Sequence, residues 1–141
     1  YLEKYDMVLV LEVHGEHGTG VILKEIANLV DSPRVLVNYD TANAIFYGDV
    51  DVVKDFTESL DKIGYVHLKE KAGGRQEWDF PALGQGYVPF DEVFGLLEDA
   101  DNLSPFSIEI EFTAAGPESL EQINQAVLDS AAYLKAKGFT L

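Results

Sequence analysis

The chain has 141 residues, 47% of them apolar, enough for one domain, residues 1–141, with a buried core. Ten Lys and Arg stand against 25 Asp and Glu, a formal net charge of −15, which repels nucleic-acid backbones and anionic lipid and attracts cations. The absence of cysteine excludes disulfides, thiolate catalysis and Cys-ligated zinc, and no apolar run nears the roughly 20 residues of a membrane helix.

The chain opens on Tyr rather than Met, and Tyr1–Asp6 reads as the tail of a helix, so the sequence is expected to begin inside a domain. No signal-peptide pattern is present, and the expected location is the cytoplasm. Met7–Val13 (MVLVLEV) is a first strand-like run carrying Glu12 near its end. Gly20–Val30 follows with apolar residues at 22, 23, 26, 29 and 30, one face of a helix. Arg34–Tyr39 (RVLVNY) is a second strand that ends at Asp40.

Val50–Ile63 predicts the next helix, and Gly64–Lys69 (GYVHLK) a third strand containing His67. Lys71–Pro89 is the longest irregular stretch, rich in Gly and containing Arg75, Trp78 and Phe80; a loop of that length is usually functional or mobile. Trp78 and Phe80 read as anchors packing the loop on the fold, with a sugar platform as the other reading. Pro89–Ala100 predicts a helix, Phe106–Phe112 (FSIEIEF) the fourth strand, and Glu118–Lys137 the last helix, stopped by Gly138.

Strand and helix alternating four times define βαβ units and a parallel sheet. Each strand carries a metal-competent residue toward its carboxyl end: Glu12, Asp40, His67, then Glu109 or Glu111. Ligands of parallel α/β folds bind at that end, so four neighbouring strands would gather these side chains. A carboxylate inside a strand is costly unless paired, hydrogen-bonded or metal-bound. Mostly oxygen donors with one nitrogen suit Mn²⁺, Mg²⁺, Co²⁺ or Zn²⁺. Glu109 and Glu111 share strand parity, and spacing does not choose between them.

The segments LEVHGEHGTG (11–20), SPRVLVNYDTANA (32–44), YVHLKE (65–70), LGQGYVPF (83–90) and SIEIEF (107–112) together resemble the last four strands of the xylose isomerase-like barrels, the sugar phosphate isomerase and epimerase group. The resemblance implies an α/β fold of four βα units, the second half of a (β/α)8 TIM barrel. It implies a divalent metal ion on Glu12, Asp40, His67 and Glu109, with Glu12 and Glu109 as the catalytic acid/base pair. It places His14, Asn43, Lys69 and Arg75 as substrate-binding residues.

The implied activity is isomerisation or epimerisation of a ketose, sugar phosphate or keto-polyol through a metal-stabilised enediolate, or dehydration of an inositol-like substrate. Two positions depart from the pattern: Glu70 stands where the family has Asp, and Asn43 where many members have His. Four strands leave a barrel half built, so the expected partners are a sugar or polyol together with a second copy or a missing amino-terminal half, and neither nucleic acid nor membrane. The alternatives are a metal-binding half-barrel or interaction module without turnover, and a metal-dependent endonuclease of the AP type, which the acidic charge disfavours.

Overall fold

The computed structural model describes residues 1–140. Its main sheet has four parallel strands in the order β1 (Leu9–Glu12), β2 (Val35–Asp40), β3 (Ile63–Lys69) and β5 (Phe106–Glu109). A second, antiparallel pair joins β4 (Asp79–Phe80) to β6 (Phe112–Thr113). Five helices accompany the strands: α1 (Gly20–Val30), α2 (Thr41–Phe46), α3 (Val52–Ser59), α4 (Phe90–Asp99) and α5 (Leu120–Ala136). A partial parallel α/β barrel follows from this order, with β1 and β5 as its open edges among the described residues.

Side-chain alternation along the strands divides the two faces. Val37, Tyr39, Val66 and Leu68 are fully buried in the apolar core, together with Leu23 of α1, Phe56 of α3 and Phe90 and Val93 of α4. The intervening positions Asn38, Asp40, His67 and Lys69 lie on the opposite face, where the polar site forms.

Helix α1 is fixed to this core by its first residues. The Asp55 carboxylate accepts from Gly20 N at 2.8 Å and Val21 N at 3.3 Å, and also from the Tyr39 hydroxyl at 2.8 Å. Orphan donors at a helix start are thereby satisfied from another helix. A Cβ at position 20 would collide with Ser59 and the Tyr39 ring, so glycine permits the close packing.

Four sequence expectations need correction. The predicted helix Val50–Ile63 is shorter: α3 ends at Ser59, Leu60–Lys62 form a 3-10 turn, and Ile63 already belongs to β3. Tyr1–Asp6 forms hydrogen-bonded turns rather than a helix. The run Phe106–Phe112 is two strands, because the chain leaves the main sheet after Glu109, and Phe112, at φ 63°, pairs instead with Phe80. The six-residue α2, which the sequence reading lacked, starts directly from β2, with Asp40 as its cap.

The 71–89 loop is tightly held. Glu70 is 1% exposed, and its carboxylate accepts from Lys71 N (3.0 Å), Gly84 N (2.8 Å) and Val88 N (3.0 Å). A Cβ at Gly86 would strike the Lys71 backbone, which only glycine avoids. Phe80 is fully buried and meets Phe46 and Trp78 edge to face at 5.6 and 5.1 Å, the geometry of an anchor.

Candidate metal centre

Parallel register brings the polar residues together. Asp40 of β2 pairs with His67 of β3, and Lys69 of β3 pairs with Glu109 of β5. Glu12, the last residue of β1, completes the row. One donor atom from each of Glu12, Asp40, His67 and Glu109 lies within 4.8 Å of all the others. His67 Nδ1 is 2.7 Å from Glu109 Oε2, 3.4 Å from Glu12 Oε1 and 3.8 Å from Asp40 Oδ2.

Donors bound at about 2.1 Å span at most roughly 4.2 Å across an ion, so the widest donors must draw in and the close His67–Glu109 pair must open slightly to share one. Two orphaned atoms strengthen the fit. Asp40 is fully buried; its Oδ1 caps α2 by accepting from Ala42 N (3.0 Å) and Asn43 N (2.8 Å), while Oδ2 has no hydrogen-bond partner among the described residues. His67 Nδ1 is likewise buried without an aligned partner, although three carboxylates surround it. A buried carboxylate oxygen and an imidazole nitrogen facing one another with no shared hydrogen bond suit a cation between them.

The charges are tightly coupled. The carboxylates of Asp40 and Glu109 push the His67 imidazole up to about 10, against the opposing pull of burial. His67, then Lys69, draws Glu109 down to about 2. Burial raises the Asp40 carboxyl, more than the neighbouring His67 and Lys69 lower it. Without a metal ion, a proton on His67 offsets part of the negative charge of the three carboxylates.

Lys69 is the second cation. Its side chain is 3% exposed, and Nζ donates to Glu109 Oε1 at 3.0 Å and to Asn43 Oδ1 at 3.3 Å. Nζ also lies 2.7 Å from Glu111 Oε2, a contact that is electrostatic rather than an aligned hydrogen bond. The ammonium sits 4.6 Å from the Phe80 ring centroid, so the loop anchor supports the site from below. Burial lowers the Lys69 ammonium, but Asp40, Glu111 and Glu109 outweigh it and hold the charge. Glu109 thus stands in the donor cluster while Glu111 stands beyond it, paired to Lys69.

The four expected substrate contacts fare differently. Asn43 is 2% exposed, and both ends of its amide are engaged within the protein: Nδ2 donates to Val13 O at 3.0 Å, and Oδ1 accepts from Lys69. Lys69 is committed to carboxylates. Arg75 pairs with Asp49 at 3.2 Å and donates to Phe46 O at 3.3 Å. His14 remains exposed, its ring 4.7 Å from that of Tyr47 across the turn it forms with His17.

Two structural contributors escaped the sequence reading. Asn38 places its amide 3.1 Å from His67 Nε2. Thr41 Oγ1 donates to Lys69 O at 2.7 Å and accepts from Lys69 N at 3.1 Å, tying α2 to the end of β3. A polar residue inside the apolar run VLVNYD, two before Asp40 and therefore on the same face, was the available signal for Asn38.

Fold and site together define a parallel βα barrel segment with a metal-competent centre at the carboxyl ends of its strands. The chain belongs to the xylose isomerase-like TIM barrel family, whose model matches residues 1–137. Among curated relatives it is 29% identical over 122 residues to an inosose dehydratase of Bacillus thuringiensis (strain Al Hakam), covering 70% of this chain and 39% of the relative. It therefore spans about two-fifths of the length of the curated relatives it matches.

Among solved structures it resembles the IolI protein with a binding zinc atom (TM-score 0.77, 19% identity, 99% of this chain and 53% of that one). It also resembles a xylose isomerase domain protein from Planctomyces limnophilus (TM-score 0.74, 19% identity, 95% of this chain and 46% of that one). An L-ribulose 3-epimerase matches with a TM-score of 0.70 at 18% identity, covering 95% of this chain and 48% of that one. None of the described helices is long and apolar enough to cross a membrane.

Proposed function

We propose that this chain is the metal-binding, carboxyl-terminal half of a barrel enzyme that moves a proton next to the carbonyl of a sugar or keto-polyol. The observation that carries the reading is the convergence of Glu12, Asp40, His67 and Glu109 from four strands on one spot, with Asp40 Oδ2 and His67 Nδ1 orphaned toward it. When bound, a divalent ion (Mn²⁺, Mg²⁺, Co²⁺ or Zn²⁺) supplies Lewis-acid polarisation of neighbouring carbonyl and hydroxyl oxygens. The inosose dehydratases and epimerases among the similar proteins favour this substrate class.

Glu12 and Glu109 come from the two outer strands of the sheet, β1 and β5, and are the carboxylates this reading assigns to proton removal and return. Proton removal by one and return by the other gives an epimer or an isomer; protonation of a departing hydroxyl gives dehydration. His67 and Lys69 keep Glu109 ionised, in the form that can accept a proton. His14, exposed and two residues beyond Glu12, is the residue this reading assigns to substrate hydroxyls.

The exposed edge of β1 and the residues before it, with Tyr1 96%, Met7 54% and Val8 52% exposed, await the strands that complete a barrel. An amino-terminal half of the same protein, or a second copy, would supply them.

Incubating the metal-loaded protein in D₂O with ketoses and keto-inositols tests the chemistry. Deuterium entering the carbon beside the carbonyl, and lost in Glu109→Gln, supports proton transfer. A metal-loaded wild type that exchanges no carbon-bound proton in any substrate of the panel contradicts it.

A further inference from the structure

Asn38 is 5% exposed and lies on β2 two residues before Asp40, on the same face. Its amide Nδ2 lies 3.1 Å from His67 Nε2, and its Oδ1 is buried with no hydrogen-bond partner among the described residues. The other ring nitrogen, Nδ1, faces Glu109, Glu12 and Asp40.

Ligation through Nδ1 uses that atom's lone pair, so the neutral ring must carry its hydrogen on Nε2. A hydrogen there needs an acceptor, whereas the amide NH₂ is itself a donor. The two ends of the amide exchange by a half-turn about its last torsion, which leaves the side chain's shape unchanged. Turned round, Oδ1 accepts the Nε2 hydrogen. One amide nitrogen then lacks an acceptor, in exchange for removing a confrontation between two donors.

We infer that Asn38 is the positioning residue of the metal centre: its carbonyl accepts from His67 Nε2–H, which fixes the tautomer with the lone pair on Nδ1 and aims that lone pair at the three carboxylates. The inference rests on the metal reading proposed above and adds a residue outside the donor set. Carboxylate or carbonyl partners behind a metal-bound histidine typically change affinity by about 10–100-fold. Asp at position 38 offers only acceptors and serves the same purpose; Leu, of similar size, offers none.

Two measurements test it on the purified protein. Calorimetric titration with Zn²⁺ is expected to give Asn38→Asp an affinity within about threefold of wild type and Asn38→Leu one weaker by about tenfold or more. Nitrogen-15 NMR of the Zn²⁺-loaded wild type is expected to show His67 with hydrogen on Nε2 and metal on Nδ1. Equal affinity for wild type and a folded Asn38→Leu, or a wild-type His67 ligating through Nε2, overturns the role of Asn38 while leaving metal binding intact. A folded wild type that takes up no Zn²⁺ fails the metal reading itself. If Asn38→Leu does not fold, the wild-type tautomer and the Asn38→Asp affinity still decide.

Discussion

The wall formed by Asp40, Lys69 and Glu70 and the rim formed by Glu12 and His14 both lie at or just past the carboxyl ends of their strands, yet they are held differently. In the wall, every side chain is buried and bound to backbone or to a neighbouring strand: Asp40 caps α2, Lys69 bridges carboxylates, Glu70 clamps the following loop. On the rim, Glu12 is 40% exposed at the open edge β1, and His14 leans on Tyr47 alone. The wall is preorganised by this chain; the rim is held by few contacts among the described residues. Preorganisation of this kind requires sequence elements that also serve the fold, so stability and metal affinity are entangled on one side and separable on the other.

The sharpest break in that comparison is Lys69→Met. It leaves Asp40, Glu109 and Glu111 crowded without their buried cation, and removing one partner of a buried ionic group costs about 3–5 kcal/mol. Urea unfolding of the metal-free protein should show that loss, and added Mn²⁺ should recover part of it by restoring positive charge. Glu70→Ala, also on the wall, strands three backbone N–H groups and should cost about 3 kcal/mol by the same assay, with little dependence on metal.

A pH series comes next. His67 is held protonated up to about 10, and a proton on Nδ1 excludes an ion. Metal uptake below that value therefore releases a proton, so affinity falls about tenfold for each unit of pH lowered from 8 to 6 and levels off above 10. Glu109, drawn down to about 2, stays ionised throughout and does not alter the slope. Calorimetry in buffers of different ionisation enthalpy counts the released proton.

The smallest effect on stability belongs to the rim. Glu12→Gln should weaken metal binding about tenfold while shifting unfolding free energy by no more than about 0.5 kcal/mol, because the side chain is half exposed and supports nothing. A large stability loss in this variant would erase the distinction between wall and rim.

Much of the architecture was legible because parallel strands bury both faces and read as short apolar runs, in which Glu12, Asp40, His67 and Glu109 stand out as costly exceptions. The same logic failed at Phe106–Phe112, where continuous β-propensity hid the departure of the chain after Glu109. The six residues of α2 are too few to show a period of their own; Asp40 serving as strand end and helix cap was visible only in space. The resemblance placed Asn43 and Arg75 among the substrate contacts; what the sequence did not show is that Asn43 also holds Lys69 and that Arg75 pairs with Asp49. Such assignments depend on which neighbour claims a polar group first, and that is settled by tertiary packing.

The central claim is that four strands build one metal centre around His67. Calorimetric titration of Mn²⁺, Co²⁺ and Zn²⁺ into wild type and His67→Ala tests it most directly. The account predicts one ion per chain for wild type and an affinity at least about a hundredfold weaker for His67→Ala, which loses a ligand outright rather than its supporting partner. A folded wild type that binds no ion, or a His67→Ala variant that binds as tightly as wild type, would contradict it.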